Sequence, residues 1–113
     1  MRSVHVKPTI AEALALRQPV VALESALITH GFGYPDNLRI ARQMEAAVRE
    51  EGALPATVAL LAGEPHIGLS DDQLSSLATS SRSDSPSTKL PRKTSLRDLP
   101  IAVAGRSTGG TTV

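Results

Sequence analysis

The chain has 113 residues, a net charge of +1 with histidine neutral, and 41% apolar but only 2% aromatic residues. This length suits one domain, and a core of Leu, Val, Ile and Ala favours helices packed on a sheet. The sequence has no basic, aromatic-rich stretch, which argues against nucleic-acid binding, and no cysteine, which excludes disulfides. It has no apolar run of the roughly 20 residues that a bilayer span needs. The start, MRSVHVKPTI, has no apolar stretch of a signal peptide, so we expect a cytoplasmic protein with no nucleic-acid or membrane partner.

The first half of the chain predicts a helix, a strand and a second helix. The first helix covers Thr9–Arg17, where Thr9 and Glu12 have the spacing of a capping box. The continuous apolar run Val20–Leu23 predicts a buried strand, since both of its faces are apolar. The second helix runs from Pro35, as first helical residue, to about Glu51, with Gly52 as its C-terminal cap.

The next segment predicts a second buried strand over Thr57–Ala62 and a short edge strand over His66–Leu69. Ser70 and Gln73 repeat the capping-box spacing, which predicts a helix over Asp71–Ala78. This alternation predicts an α/β fold, with helices covering a central sheet on both faces.

The last third of the chain changes composition. Residues 79–92 are rich in Ser, Pro and charge, which predicts a flexible loop. A helix is predicted over Leu96–Ala104, then a loop over residues 105–110, and then the opening of a strand at Thr111–Val113. Because a domain seldom ends on the first residues of a core strand, we expect residues 1–113 to be a single partial domain.

Glu24 is the first candidate for chemistry, because it directly follows a predicted buried strand. Ligands of open α/β sheets bind beyond the carboxyl ends of strands, and desolvation there raises the pKa of a carboxyl toward values suited to proton donation. A structural alternative is a strand-end carboxylate that caps a loop or pairs with an Arg. His30, in the following loop, could bind phosphate or a base edge, or could simply be solvated. Glu24 and His30 together supply only two ligands, and a metal site needs at least a third.

The segment Arg106–Thr112, RSTGGTT, combines glycines with hydroxyl donors. Such a segment either approaches an anion through its backbone or is an ordinary loop, and it is not a Walker loop because Gly-Lys-Ser/Thr is absent. Lys93 lies beside Arg92, and the local sequence alone indicates only a solvated charge.

Four segments of the chain together resemble one family of enzymes. They read VVALESALITHGFGYPDN, REEGALPATVALLAGEPHIGLSDDQL, KTSLRDLP and GGTTV, and they run in order across Pro19–Val113. This text is similar to the pseudouridine-5'-phosphate glycosidases, also called the indigoidine synthase A-like family. The resemblance implies an incomplete three-layer α/β/α fold, a homotrimer, manganese, and reversible cleavage of the C–C glycosidic bond of pseudouridine 5'-phosphate into uracil and ribose 5-phosphate through a lysine iminium.

The resemblance also implies roles for individual residues. Glu24 matches the family's proton donor, and Lys93 matches a substrate-contacting lysine, although a shifted alignment places Lys89 there instead. Val113 matches a substrate-contacting position, with Thr112 and Thr111 beside it as candidate donors. Two further matches to motif positions, His30 and Asn37, carry no implied role.

The chain also departs from the family pattern. Leu96 stands where an Arg is usual, and the nucleophilic lysine and the metal-ligating aspartate of the family lie beyond Val113. We therefore expect the N-terminal portion of a glycosidase of this family that is inactive alone. Two alternatives are a non-catalytic subunit that associates with a full-length homologue and a small phosphosugar-binding module.

Overall fold

The computed structural model describes residues 4–80 and the backbone of residues 92–94 and 109–111. The elements, in chain order, are β1 (His5–Val6), α1 (Pro8–Ala15), β2 (Val20–Leu23), a π-helical turn (Leu27–Gly31), α2 (Asp36–Glu50), β3 (Leu54–Leu61), β4 (Glu64–Ile67), α3 (Asp71–Ser80), β5 (Arg92–Thr94) and β6 (Gly109–Thr111). Among these helices, none has both the length and the apolar character that a bilayer crossing requires. The predictions for residues 81–91, for Leu96–Ala104, and for Thr112 and Val113 lie outside the described residues.

Strand β3 is the centre of a mixed sheet that contains all six described strands. The first half of β3 pairs in parallel with β2, and its second half pairs in antiparallel with β4 and β6. Strands β1 and β5 extend the sheet as parallel neighbours of β4 and β6. Helices α1 and α2 contact β3. The predicted α/β class, with helices packed on a central sheet, is thereby confirmed.

A tight hairpin joins β3 to β4. Its two connecting residues, Ala62 and Gly63, have φ values of +51° and +79°. Two consecutive positive φ values are what a type I′ turn requires, and this turn matches the twist of antiparallel strands. The register of the hairpin is Leu61 opposite Glu64.

The main hydrophobic core is formed by the π-helical turn, α2, β3, the segment after β4, and α3. Its buried members are Ile28, Ala41, Ala59, Leu69, Leu74, Leu77 and Ala78, and Leu38 and Leu61 pack against them half-buried. The elements around the candidate site are therefore held by one shared core rather than by loops.

Helix α1 begins differently from the prediction. Pro8 occupies its first turn, and Lys7 is the residue at the N-cap position, where no side-chain cap bond forms. The predicted capping box of Thr9 and Glu12 is therefore wrong, because Thr9 already lies inside the helix. The helix ends two residues early, and Arg17 takes a left-handed φ of +56°. The Arg17 and Gln18 amides then donate to carbonyls of the last turn, as in a Schellman motif.

Helix α2 agrees closely with its prediction. It starts at Asp36, so Pro35 lies at the N-cap rather than within the helix, after a cis peptide bond to Tyr34. Gly52 has a φ of +85°, and the amides of Gly52 and Ala53 donate to the carbonyls of Arg49 and Val48. This is the predicted glycine cap in Schellman form.

Strand β2 has its predicted bounds, but the prediction that it is buried is wrong for this chain. Val21 is 40% exposed and Ala22 is also exposed. The second predicted strand begins three residues earlier than expected, at Leu54. The predicted edge strand is shifted to Glu64–Ile67 and lies inside the sheet, because the unpredicted β1 pairs with it.

The later elements show both agreement and correction. The second capping box is confirmed: the Ser70 amide lies 2.9 Å from Gln73 Oε1, and the Gln73 amide lies 3.1 Å from Ser70 Oγ. Helix α3 continues to Ser80, past the predicted start of the loop. Lys93 lies in β5, which the sequence did not predict. Strand β6 covers Gly109–Thr111, whereas the sequence predicted a loop up to residue 110 and a strand from Thr111.

Candidate active site

Glu24 lies at the carboxyl end of β2, as predicted. It directly follows Leu23, which is opposite Thr57 in the parallel register with β3. Glu24 is exposed, so the desolvation expected from the sequence is not found within the described residues. It lines a small recess together with Leu23, Leu27, Ile28, Ala41, Met44 and Thr57. The carboxylate therefore stands at the rim of a mostly apolar recess.

Ser25 fixes the backbone immediately after Glu24. Its side chain is fully buried, and its hydroxyl donates to the carbonyl of Val58 in β3. The Ser25 carbonyl accepts hydrogen bonds from the amides of Ile28 (3.0 Å) and Thr29 (3.3 Å), which begin the π-helical turn. The sequence reasoning missed this anchor, although a small hydroxyl residue between a strand and an apolar run is a usable signal.

The π-helical turn carries His30. Such turns are rare and often occur at functional sites. The buried Thr29 places its Oγ1 2.7 Å from His30 Nδ1, while the His30 side chain itself is exposed. The ring is therefore oriented through Nδ1. Among the residues whose side chains are described, no group of three close metal-ligating side chains includes Glu24 or His30.

Asn37 ties the π-helical turn to α3. It is only 1% exposed, and its Nδ2 donates to the carbonyls of Ile28 and Ala78, each at 2.9 Å. Its Oδ1 accepts from the amide of Leu38 at 2.8 Å. Asn37 is thus a buried structural residue, which could have been recognised because it precedes Ala41 by four positions on the buried face of α2.

At the recess, a second polar contact, which is partly buried, joins α2 to β3. Thr57 is 2% exposed and donates from Oγ1 to Glu45 Oε2 at 2.8 Å. Glu45 Oε1 also lies 3.8 Å from Arg49 Nη2. Because Thr57 is the register partner of Leu23, this contact sets the position of α2 relative to the strand that ends at Glu24.

The backbone brings Lys93 into the same region of the fold. Lys93 is opposite Gly110, and Gly110 is opposite Ala59, two residues after Thr57 in β3. Strands β5 and β6 both contact the π-helical turn that follows Glu24. The other predicted substrate-contacting residues, Thr112 and Val113, lie outside the described residues, as does the alternative lysine, Lys89.

Comparison with known proteins identifies relatives over almost the whole chain. The chain is 49% identical over 106 residues to a pseudouridine-5'-phosphate glycosidase of Symbiobacterium thermophilum, covering 94% of this chain and 32% of that protein. It is 46% identical over 110 residues to the protein of the same name from Arabidopsis thaliana, covering 97% and 31%. The chain therefore spans about a third of the length of these relatives.

Solved structures share the fold. A prealnumycin C-glycosynthase in complex with ribulose 5-phosphate matches with a TM-score of 0.77 and 41% identity, over 100% of this chain and 33% of that one. An indigoidine synthase A-like protein of Thermotoga maritima matches with a TM-score of 0.73 at 24% identity, over 97% and 33%, which supports the fold alone. The family of indigoidine synthase A-like proteins itself matches residues 9–113. This chain therefore belongs to the family of the indigoidine synthase A-like proteins and pseudouridine-5'-phosphate glycosidases.

Proposed function

We propose that this chain supplies the N-terminal part of the active site of a pseudouridine-5'-phosphate glycosidase. The complete enzyme, a homotrimer, would cleave the C–C glycosidic bond of pseudouridine 5'-phosphate, giving uracil and ribose 5-phosphate. The observation that carries this proposal is Glu24 at the carboxyl end of β2, within a chain 49% identical to a relative of that name. The sugar phosphate bound in the structural neighbour, ribulose 5-phosphate, supports a substrate of the same chemical class.

In this proposal Glu24 is the proton donor. Ser25 and the π-helical turn hold the backbone on its C-terminal side, which keeps the residue that carries the carboxyl group beside the recess. A positioned carboxylic acid can transfer protons to the sugar and the base while a lysine iminium accepts the bonding electrons. Lys7, Lys89 and Lys93 are the lysines of this chain, and none matches the nucleophile, so another part of the domain supplies that amine.

The substrate phosphate is assigned to the other edge of the site. Lys93, or Lys89 in the shifted alignment, provides the positive charge, and Thr112 and Val113 provide further contacts. The contacts of β5 and β6 with the π-helical turn support this assignment. The described residues around Glu24 do not fit a manganese centre by themselves, because no cluster of three ligating side chains occurs there. A manganese ion in the complete enzyme would therefore need ligands from other residues.

A chimera tests the role of Glu24. This chain replaces the aligned N-terminal third of the Symbiobacterium thermophilum relative, and uracil release from pseudouridine 5'-phosphate is measured. We expect Glu24→Gln to lower the rate by about 10²–10⁴-fold, the usual contribution of a general acid. Glu51→Gln, at an exposed carboxylate just after α2, is the matched control and should leave the rate unchanged. Equal rates for Glu24→Gln and the unsubstituted chimera would contradict the proposed role.

The chain alone should release no uracil under the same conditions, because it lacks the electron-accepting lysine. Turnover by the isolated chain would contradict this expectation directly.

A second candidate function is a non-catalytic subunit that associates with a full-length homologue. The exposed Val21 and Ala22 of β2 favour it, because apolar side chains on a strand are normally covered. Co-expression of the tagged chain with a full-length homologue tests it. Co-purification in a fixed ratio would support this function, and the absence of association would exclude it. A phosphosugar-binding module ranks below both, since it needs the chain to bind ribose 5-phosphate unaided.

A further inference from the structure

A group of three metal-ligating side chains lies on strands β1 and β4, apart from the candidate active site. His5 is the direct partner of His66 in the parallel register of these strands. Glu64 precedes His66 by two residues, and side chains two apart on a strand project from the same face of the sheet. The pairing of β1 with β4 therefore places two imidazoles and one carboxylate on one patch of surface.

The distances between these groups are short. His5 Nε2 lies 2.6 Å from Glu64 Oε2, and the two imidazole rings are stacked with centroids 4.5 Å apart and planes inclined by 16°. One ligand atom of each residue lies within 4.8 Å of the other two. Among the residues with described side chains, no other group of three meets this condition.

The surroundings suit a metal ion that enters from solvent. The side chains of His5 and Glu64 are 45% and 38% exposed, so an ion and water can reach them. His66 is half-buried beside them, so all three groups can meet an ion at the surface.

We propose that His5, Glu64 and His66 form a binding site for a Zn²⁺ ion, with water as the fourth ligand. Two imidazoles and a carboxylate are a donor set that suits zinc better than magnesium, calcium or manganese. Zinc–ligand bonds of about 2.0–2.2 Å in a tetrahedron separate ligand atoms by roughly 3.4 Å. Zinc bound through His5 Nε2 and Glu64 Oε2 would require these two atoms, now 2.6 Å apart, to separate by about 0.8 Å, and the other ligand atoms to approach by no more than about 1.4 Å. The two stacked imidazole rings would also have to turn so that one nitrogen of each faces the ion.

Such an ion would link β1 to β4, because His5 lies in β1 and the other two ligands lie in β4. Strand β1 has only two residues, both exposed, and lies at the edge of the sheet. Directly after β1, the Lys7 amide donates one hydrogen bond of 2.9 Å to the Ile67 carbonyl at the end of β4. Zinc would add ligand bonds across the same pair of strands, so binding should raise the melting temperature of the chain. This site is independent of the proposed glycosidase function.

Zinc chloride titration of the 113-residue chain tests the site. The chain has three histidines, so long-range ¹H–¹⁵N spectra near neutral pH can follow each imidazole separately. We expect Zn²⁺ to saturate at one ion per chain and to shift the ring nitrogens of His5 and His66 while His30 stays unchanged. Manganese chloride at the same concentration should not saturate the site.

Variants separate the site from adventitious binding. His5→Ala, on the exposed two-residue strand, and His66→Ala should each weaken zinc affinity by more than about tenfold. His30→Ala is the matched control and should bind as the parent does. The zinc-dependent rise in melting temperature should disappear in His5→Ala, whose far-UV circular dichroism should match the parent. No saturable zinc binding by the parent, or equal weakening by His30→Ala and His5→Ala, would overturn the proposal.

Discussion

Asn37 offers the sharpest test of how the candidate site is supported. Substitution by Asp keeps the shape of the side chain and replaces the amide nitrogen with an oxygen. That nitrogen now donates to the carbonyls of Ile28 and Ala78, each at 2.9 Å. In Asn37→Asp an oxygen that cannot donate in its charged form faces two carbonyl oxygens, so both hydrogen bonds are lost.

The expected cost follows from these contacts. Asn37 is 1% exposed, so water cannot replace its amide. Removing the partner of a buried polar group costs about 1–3 kcal/mol, and two carbonyls lose their donor, which gives a loss of about 2–6 kcal/mol. A loss of about 1 kcal/mol lowers the melting temperature of a domain of about this size by about 4–8 °C, so Asn37→Asp should lower it by at least about 8 °C.

Thermal and urea unfolding followed by far-UV circular dichroism measure this loss. Gln43→Glu is the matched control, because it makes the same amide-to-carboxylate change at an exposed position of α2. Its effect should stay within about 0.5 kcal/mol. A loss below about 1 kcal/mol for Asn37→Asp, or no difference from Gln43→Glu, would refute the assignment of Asn37 as the residue that joins the π-helical turn to α3.

Three glycine-related substitutions test the backbone conformations. Arg17→Gly should stabilise the chain by about 0.5–1 kcal/mol, whereas Gly52→Ala should destabilise it by about 1 kcal/mol, because both residues are left-handed at a Schellman helix end (φ +56° and +85°). Urea unfolding measures both, and effects of the same sign would contradict this reasoning. Gly68→Ala should cost about 2–4 kcal/mol, because its Cβ would lie 2.9 Å from Lys7 Cβ and 3.0 Å from Ile10 Cγ1, whereas nothing lies within 4 Å at Gly52. Equal losses for the two alanine variants would show that the close approach of α1 to Gly68 is not tight.

The elements with a strong local pattern could be predicted from the sequence, and the elements of two or three residues could not. Helix α2 and strand β2 have strong periodic or continuous apolar patterns, which fix their type and nearly their bounds. Strands β1, β5 and β6 have two or three residues each, too few for any period, and they form because β4, β6 and β3, respectively, offer hydrogen-bonding partners. The capping box in α1 failed because Pro8 competes for the first helical turn.

The candidate site divides in the same way. The place of Glu24 follows from local order, since it comes directly after an apolar strand. The bonds of Ser25 to Val58 and of Asn37 to Ala78 join residues far apart in the sequence, and no local pattern encodes which carbonyl a buried side chain meets. The exposure of β2 is likewise a property of packing, because its apolar sequence favours burial that the described residues do not provide.

The hairpin turn at Ala62–Gly63 has a consequence for the order of folding. It lets β3 and β4 pair as soon as both have left the ribosome, because their contacts close a loop of only two residues. Strand β6 begins at Gly109, long after the end of β3 at Leu61, and pairs with the other edge of the same strand. During synthesis, the second half of β3 therefore pairs with β4 before β6 is available. Until β6 pairs with it, the open edge of β3 can bind chaperones or other chains.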